Sequence, residues 1–430
     1  MSVLQDKISI LIEKIHLRVF GNEMGEEMRT FLSHLSWSFV GGGIASSVMM
    51  VVNIAVGRLI GPTEFGKYSL VLTLSQIFLI PILFSLDTVS TRYIAENTDR
   101  QKIKQHISSA FYFVLASVIF LTTFSFFVLK DVSVFFNIDL TLLSVAVFLA
   151  VALAIKAILD SIIKGLHLFK TQFLVRILEA FSVLFFFSLL FLFLGFKTYV
   201  YYVSCLVLAS FIAILFYLKI VFSYLGSFSG EALRKQLSYG KIIFAGAVLI
   251  ILFNSLDKFI ILKYLGVREL GIYSAYFMAS INMIAQLTQM FVNVFFPSIA
   301  KVPQRPILLK LERLFKILFA PTALIISCII FMIMSFFGKD YGINIQYIFG
   351  FSLIATLQII LIIYYSVFAA SPKEIYIKYI LRFNAVNFLH VLAYCFLIYM
   401  EIVSFGWIIA LLILNNIVNI ILQRNLIMRN

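Results

Sequence analysis

The sequence predicts an all-α polytopic membrane protein, with about twelve transmembrane helices in two six-helix bundles related by a parallel internal repeat. Three observations predict this fold. Of the 430 residues, 62% are hydrophobic and only 13% are charged, whereas a soluble protein carries roughly 25% charged residues. The hydrophobic residues gather in long segments, and a motif of the first half returns in the second. This composition excludes a soluble enzyme, a secreted disulfide-rich domain and a disordered protein.

Each apolar segment is long enough to cross a bilayer as a helix, which needs about 20 residues. Open strands would leave backbone groups unpaired in lipid, so the segments are predicted as helices. In order, they span residues 35–56, 68–86, 107–129, 138–160, 174–196, 199–221, 239–262, 272–296, 315–337, 347–369, 379–400 and 404–423. The predicted domains are an amphipathic cytoplasmic segment (1–34), a first bundle (35–222), a cytoplasmic linker (223–238) and a second bundle (239–430).

The basic residues orient the predicted helices. The net charge is +14. Of the 34 Lys and Arg residues, 26 belong to the two termini and the even-numbered loops, and 8 belong to the odd-numbered loops. By the positive-inside rule, both termini lie in the cytoplasm. The charge excess therefore needs no nucleic-acid partner, and we expect none. The N-terminal residues lack the pattern of a cleavable signal peptide, and no metal site is expected.

The internal repeat lies at a short outer turn. The chain reads GPTEFGKYS at residues 61–69 and GVRELGIYS at residues 266–274. The shared Gly, Glu, Gly, Tyr and Ser all recur at one offset, 205, which is nearly half the chain. Each copy follows an odd-numbered helix, so the two halves have the same orientation. Parallel repeats of this kind place a substrate path at their interface.

Four motifs resemble one protein family. They are GRLIGPTEFGKYSL (57–70), TRYIAE (91–96), KGLHLF (164–169) and LDKFIIL (256–262). They resemble the polysaccharide-biosynthesis, or O-antigen repeat-unit flippase, branch of the multidrug/oligosaccharidyl-lipid/polysaccharide (MOP) exporter superfamily. The resemblance implies a central cavity between the bundles and alternating access. It also implies a polyprenyl-diphosphate-linked oligosaccharide as substrate, the inner membrane as location, and other polysaccharide assembly proteins as partners beside the membrane lipids.

Charged residues inside predicted helices are the first candidates for a site, because a charge within a bilayer is costly and usually faces a cavity. Lys156, Asp160 and Lys164 share one face of the fourth helix, and Arg176 and Glu179 open the fifth. Lys156 either lines the cavity or pairs with Asp160. Arg176 either meets a diphosphate or anchors the helix at the headgroups.

The seventh and eleventh helices carry further candidates for gating or ion coupling. Asp257 matches the acid that the family carries in its seventh helix, so the resemblance implies a cavity or gating role for it. The neighbouring Lys258 points about 100° away; it either contributes to substrate binding or reaches the outer headgroups. His390 lies near the middle of the eleventh helix, where it either titrates or is held neutral by Asn387 or a backbone carbonyl. Glu179 is the third candidate for coupling.

The eighth helix carries amides at spacings of four, three and four residues. An amide stripe facing lipid would be costly, so the stripe either lines a sugar path or joins helices by hydrogen bonds. Its members are Asn282, Gln286, Gln289 and Asn293.

The resemblance favours a flippase for a lipid-linked oligosaccharide. The alternatives are a drug or organic-cation antiporter of the same superfamily and a membrane-embedded polymerase or glycosyltransferase. The loops are too short for the domain that such an enzyme usually needs, so we do not expect an enzyme. No cofactor is expected, and transport is expected to draw on a proton or sodium gradient if it is coupled.

Overall fold

The computed structural model describes residues 26–136, 138–288, 292, 304–369 and 373–429. These residues form helices joined by short turns, which confirms the predicted all-α class. Ten spans among them are long and apolar enough to cross a membrane. One of these, residues 42–83, contains two of the predicted helices. The predicted helix 272–296 lies partly outside the described residues, as does most of the N-terminal segment 1–34.

Among the described residues, six helices are labelled in each half of the chain, and a further helical stretch covers residues 283–288. The first half contains α1 (Glu26–Leu83), α2 (Leu86–Glu96), α3 (Arg100–Phe136), α4 (Leu140–Gly165), α5 (Phe169–Phe187) and α6 (Tyr199–Val221). The second half contains α7 (Gly230–Tyr264), α8 (Val267–Phe277), α9 (Gln304–Phe337), α10 (Ile345–Ala369), α11 (Lys373–Tyr399) and α12 (Phe405–Arg429). The helices α5 and α8 continue as π-helical turns at Ser188–Phe193 and Met278–Asn282.

The range labelled α1 holds two helices, which correspond to the first two predicted helices. They meet at a break in the backbone dihedral angles at Gly61 (φ 75°, ψ 171°). A positive φ costs a glycine nothing, so the chain reverses here without a loop. A second break follows at Phe84 and Ser85, both with positive φ. It separates α2 from α1, close to the predicted end of the second helix at residue 86.

The two halves repeat the same turn, as the motif predicts. Gly266, which is 205 positions after Gly61, has φ 96° and ψ 170°. The second glycine of each motif packs against the opposite half. A Cβ at Gly66 would overlap the carbonyl oxygen of Val267, and a Cβ at Gly271 would overlap that of Pro62. Since Pro62 and Val267 are also 205 positions apart, the contact is symmetric. We call this side of the molecule the turn end.

The opposite side carries the loops that hold most basic residues, and we call it the basic end. Here α7 is the main contact between the halves: it packs against α1, α2 and α3. Phe244 stacks on Phe84 with ring centroids 4.5 Å apart, and the side chain of Gln236 lies 3.0 Å from Nδ1 of His106. Residues 230–238, predicted as part of a linker, belong to α7.

Large apolar side chains cover the outside of both halves. Phe120, Phe126 and Phe193 are 70%, 83% and 81% exposed. An exposed apolar surface of this extent marks contact with a membrane or a partner. The exposed rings therefore agree with helices that face lipid.

Candidate functional site

Two charged side chains meet between α4 and α5. Lys156 Nζ lies 2.5 Å from Glu179 Oε1, and their side chains are 23% and 21% exposed. Ser210 of α6 donates a hydrogen bond to the same carboxylate oxygen at 3.2 Å. Glu179 therefore takes the position beside Lys156 that the sequence analysis offered to Asp160.

Asp160 lies at the centre of a second group, one turn closer to the basic end. It accepts hydrogen bonds from Gln172 at 2.9 Å and from Tyr217 at 2.8 Å. Lys164 Nζ is 2.8 Å from the carboxylate, but Arg176 Nη2 is 3.8 Å away. The guanidinium of Arg176 is thus the loosest partner, and its side chain is 44% exposed.

These two groups form one polar cluster with an excess of positive charge. Its charged members are Lys156, Asp160, Lys164, Arg176 and Glu179. Three cations face two carboxylates among these five side chains, because Lys164 and Arg176 share the carboxylate of Asp160. An arginine that is half exposed and loosely held offers its donors in a fixed fork, which suits a phosphate or carboxylate group. We call this set the charged cluster.

A cavity of about 280 Å³ adjoins the charged cluster between α2 and α4. At about 30 Å³ per water molecule, it has room for a group the size of a phosphate or one sugar ring. Hydroxyl, carboxylate and ammonium groups line it; the lining residues are Asp87, Thr88, Thr91, Ala157, Asp160, Ser161 and Lys164. Thr91 Oγ1 donates to the carbonyl of Ser161 at 3.0 Å and so holds the two helices together. Burial raises the pKa of Asp87, and the charge of Lys164 opposes this shift.

The rim of the basic end joins the halves through Arg92. Its Nη1 donates to the hydroxyl of Tyr239 at 2.7 Å, and its Nε donates to Glu96 at 2.7 Å. The guanidinium carbon also lies 4.9 Å from the centroid of the Tyr239 ring. The hydrogen bond to Glu96 is the largest of several contributions that raise the pKa of Arg92. Arg92 on α2 therefore ties the first half to α7.

Asp257 and Lys258, the adjacent charged residues of the seventh predicted helix, point in different directions, as neighbouring positions of an α-helix do. Asp257 is buried at 3% exposure and accepts hydrogen bonds from the hydroxyl of Tyr273 and the backbone N–H of Lys258. Lys258 turns toward the other half, where Nζ lies 3.2 Å from Thr73 Oγ1. Within its own half, Nζ lies 5.2 Å from the ring centroid of Phe277 on α8. Lys258 thus contacts the interface between the halves, and Asp257 stays within the second half.

Only part of the predicted amide stripe falls in the described residues. Asn282 and Gln286 are both exposed, whereas Gln289 and Asn293 lie outside the described residues. Asn282 ends the π-helical turn of α8, where each turn holds more residues than in an α-helix. Exposed amides at membrane depth need water or polar partners, so this face of α8 does not suit lipid.

The eleventh helix also buries its polar residues. Asn387 and His390 are 6% and 8% exposed. Asn387 Oδ1 accepts a hydrogen bond from Asn415 of α12 at 3.3 Å, and the His390 ring packs edge-on against Tyr394 with centroids 4.5 Å apart. The α12 side of this contact is not among the sequence-based candidates. The spacing of four between Asn415 and Asn419 was the signal that could have found it.

Comparisons with known proteins agree with this architecture. A family described as "Polysaccharide biosynthesis protein" matches residues 31–302, which is more than half of the chain. No curated protein matches the sequence. Among solved structures, a MOP superfamily transporter from Pyrococcus furiosus is 15% identical, with a TM-score of 0.61 over 92% of this chain and 96% of its own. An inward-facing multidrug-resistance MATE family transporter is 12% identical, with a TM-score of 0.65 over 88% and 98%. At these identities the likeness concerns the fold.

Proposed function

Since the chain belongs to the polysaccharide biosynthesis protein family, we propose that it moves a polyprenyl-diphosphate-linked oligosaccharide repeat unit across the cytoplasmic membrane, from the inner to the outer leaflet. The substrate combines an anionic diphosphate with a polar glycan. Both groups lose their hydration in an apolar layer about 30 Å thick. The protein therefore needs cations for the diphosphate and hydrogen-bonding groups for the sugars.

The charged cluster is the observation that carries this proposal. Its three cations exceed its two carboxylates, and Arg176 is held by one contact of 3.8 Å. A diphosphate can take both free edges of such a guanidinium, whereas Lys156 and Lys164 are occupied by carboxylates at 2.5 and 2.8 Å. We assign the first contact with the diphosphate to Arg176. The neighbouring cavity of about 280 Å³ accepts part of the head group.

The direction of entry follows from the two ends of the molecule. The basic end faces the cytoplasm under the positive-inside rule. At the turn end the glycine contacts bring the backbones of the two halves together, so we take the turn end as the closed side. At the basic end, the contacts between the halves come mainly from α7. The substrate enters from the cytoplasm, and transport requires the turn end to part.

The sugar path is assigned to the interface between the halves. Asn282, which ends the π-helical turn after α8, and Gln286, which follows it in the helical residues 283–288, are exposed amides. Amides form hydrogen bonds with hydroxyl groups without requiring one hydroxyl pattern. Lys258 lies near this interface beside Thr73 of the first half. The partners implied are the lipid-linked oligosaccharide, membrane lipids and other polysaccharide assembly proteins.

A drug or organic-cation antiporter is the second candidate, and one observation favours it. Asp257 is a buried carboxylate in a helix bundle whose fold is similar to that of a multidrug-resistance transporter. An organic cation would pair with such a group. However, Asp257 is already bound by Tyr273, and the more accessible cluster is positively charged.

Reconstitution into vesicles separates the two candidates. The purified protein is placed in vesicles with a fluorescent lipid-linked oligosaccharide, and an impermeant quencher reports how fast the lipid changes leaflet. We expect flipping at least tenfold above protein-free vesicles, and no uptake of the organic cation ethidium. Uptake of ethidium without any flipping of the lipid would replace the flippase with the antiporter.

A further inference from the structure

The second half buries a line of amide side chains where α11 and α12 meet. Asn419 and Gln423 on α12 are 1% and 2% exposed. On α11, Asn387 meets Asn415 across the helix contact at 3.3 Å. We call the set Asn384, Asn387, His390, Asn415, Asn419 and Gln423 the amide seam.

Several polar atoms of the amide seam have no hydrogen-bond partner within the described part of the chain. These atoms are Oδ1 of Asn384, Oδ1 of Asn419 and both amide atoms of Gln423. A buried polar group without a partner costs about 1–3 kcal/mol. Four such atoms in a dry interior would cost a large share of the stability of a protein. Water molecules along the seam would remove this cost.

The spacing of the seam fits a track of water better than one bound ion. The contact of Asn387 with Asn415 sets the register of two antiparallel helices, so Asn384 lies level with Asn419, and Gln423 lies a turn closer to the basic end. At 1.5 Å per residue, the seam extends about 12 Å from Asn415 to Gln423. A metal ion needs its oxygen ligands at about 2.4 Å. The described residues also hold no cluster of three or more His, Cys, Asp or Glu side chains suited to a metal.

Titratable groups stand at both ends of the seam. Toward the turn end, His390 packs on Tyr394. The buried hydroxyl of Tyr394 has no hydrogen-bond partner among the described residues. Tyr394 also interacts electrostatically with Asp257. The other groups facing Asp257 are Tyr273 and Lys258. At the basic end, Arg424 follows Gln423 and binds Glu312 of α9 at 2.8 Å, and Tyr364 of α10 donates to the same carboxylate at 3.2 Å.

We propose that the amide seam is a hydrated route along which protons pass between the basic end of the molecule and the carboxylate of Asp257. The amides hold the water molecules by hydrogen bonds, and an excess proton passes from one water molecule to the next as each accepts one proton and releases another. His390, at the turn end of the seam, accepts the proton and releases it toward Asp257. The route rests on the proposed function in one respect: proton movement would supply the energy for flipping the lipid. Its existence as a water-filled track does not depend on the substrate.

Cysteine accessibility tests whether the seam holds water. Thiols react with silver ions only where water ionises them. In vesicles, Asn419→Cys and Gln423→Cys should therefore react with silver added on the basic side. Both variants are made in a protein without its native cysteines (Cys205→Ala, Cys328→Ser and Cys395→Ser). Two variants are the matched controls. Ile417→Cys lies at an exposed position on the lipid-facing side of the same helix. Ser366→Cys replaces a buried serine of α10 whose hydroxyl is bonded to its own helix. We expect at least a hundredfold faster reaction at the seam. Equal rates at the seam and at Ser366→Cys would overturn the proposal.

Proton movement tests whether the water track conducts. Vesicles that contain the protein, the lipid-linked oligosaccharide and an internal pH dye receive an acid pulse. Asn419→Leu and Gln423→Leu should lower substrate-dependent proton uptake at least tenfold, whereas Gln423→Glu, which keeps the seam polar, should retain it. Unchanged uptake in both Leu variants, with flipping intact, refutes the proton route alone. Absence of flipping in the unmodified protein, while silver still reaches the seam, refutes the flippase and leaves the hydrated track standing.

Discussion

Ser274 Oγ donates a hydrogen bond to Ser69 Oγ at 2.6 Å, although the two serines are 205 positions apart. They are the last matching residues of the two copies of the repeated motif, and both are buried. The same residue of each copy therefore meets its counterpart, as happens only close to a two-fold axis. The axis of the internal repeat passes through this contact, and Gly66 and Gly271 pack beside it. The repeat thus closes the turn end.

A disulfide between these two positions should trap the turn end in its closed form. Two hydroxyls at hydrogen-bonding distance place their Cβ atoms within reach of a disulfide. We expect Ser69→Cys/Ser274→Cys, made without the three native cysteines, to cross-link under mild oxidation and to lose at least tenfold in flipping rate. A reductant should restore the rate. Each single cysteine variant serves as the control, and full transport by the cross-linked protein would show that the turn end does not part.

Adding one methyl group at the glycine contact should have the opposite effect. Gly66→Ala places a Cβ where the carbonyl oxygen of Val267 lies, and forcing extra volume into such a contact costs about 1–3 kcal/mol. We therefore expect the closed turn end to lose roughly tenfold in population. Labelling of a single cysteine at Ser69 by an impermeant thiol reagent measures this change.

Gly246→Ala is the matched control, since no atom lies within 4 Å of a Cβ built at Gly246 in α7. It should leave the labelling rate of Ser69→Cys unchanged. If Gly66→Ala labelled no faster than Gly246→Ala, the glycine contact would not hold the turn end closed.

The loosely held arginine of the charged cluster leads to a third prediction. Arg176→Ala should lower the flipping rate at least tenfold, because it removes the fork of donors assigned to the diphosphate. Arg176→Lys should recover part of the rate, since it keeps the charge without the fork. Lys170→Ala, an exposed cation one and a half turns earlier on α5, should have little effect. Similar losses at both positions would indicate a general effect of positive charge.

The sequence predicted the helices and the repeat because each leaves a local pattern: an apolar segment, or a motif at one offset. It missed the partners of the charged residues, which depend on how helices rotate against each other. Asp160 and Lys156 share a face of α4, yet Glu179 of α5 separates them by binding Lys156. The sequence predicted a short outer turn at the first motif, and the structure makes that turn at Gly61 through one positive φ. The amide spacing on α12 was visible and was overlooked.

Substitutions at the Lys156–Glu179 pair distinguish an effect on stability from an effect on transport. Lys156→Met leaves the carboxylate of Glu179 half-buried with only Ser210 as a hydrogen-bond donor among the described side chains. An unpaired group of this kind costs about 1–3 kcal/mol, so the melting temperature in detergent should fall.

Glu179→Gln in the same protein removes the unpaired charge, and the double variant should regain most of the lost stability. If Lys156 only balances Glu179, the double variant should also flip the lipid at the normal rate. If the cluster binds the diphosphate as one unit, flipping should stay at least tenfold low although the melting temperature has recovered. We expect the first outcome, because Glu179 already occupies Lys156 and the neutral pair leaves both Arg176 and the net charge of the cluster unchanged.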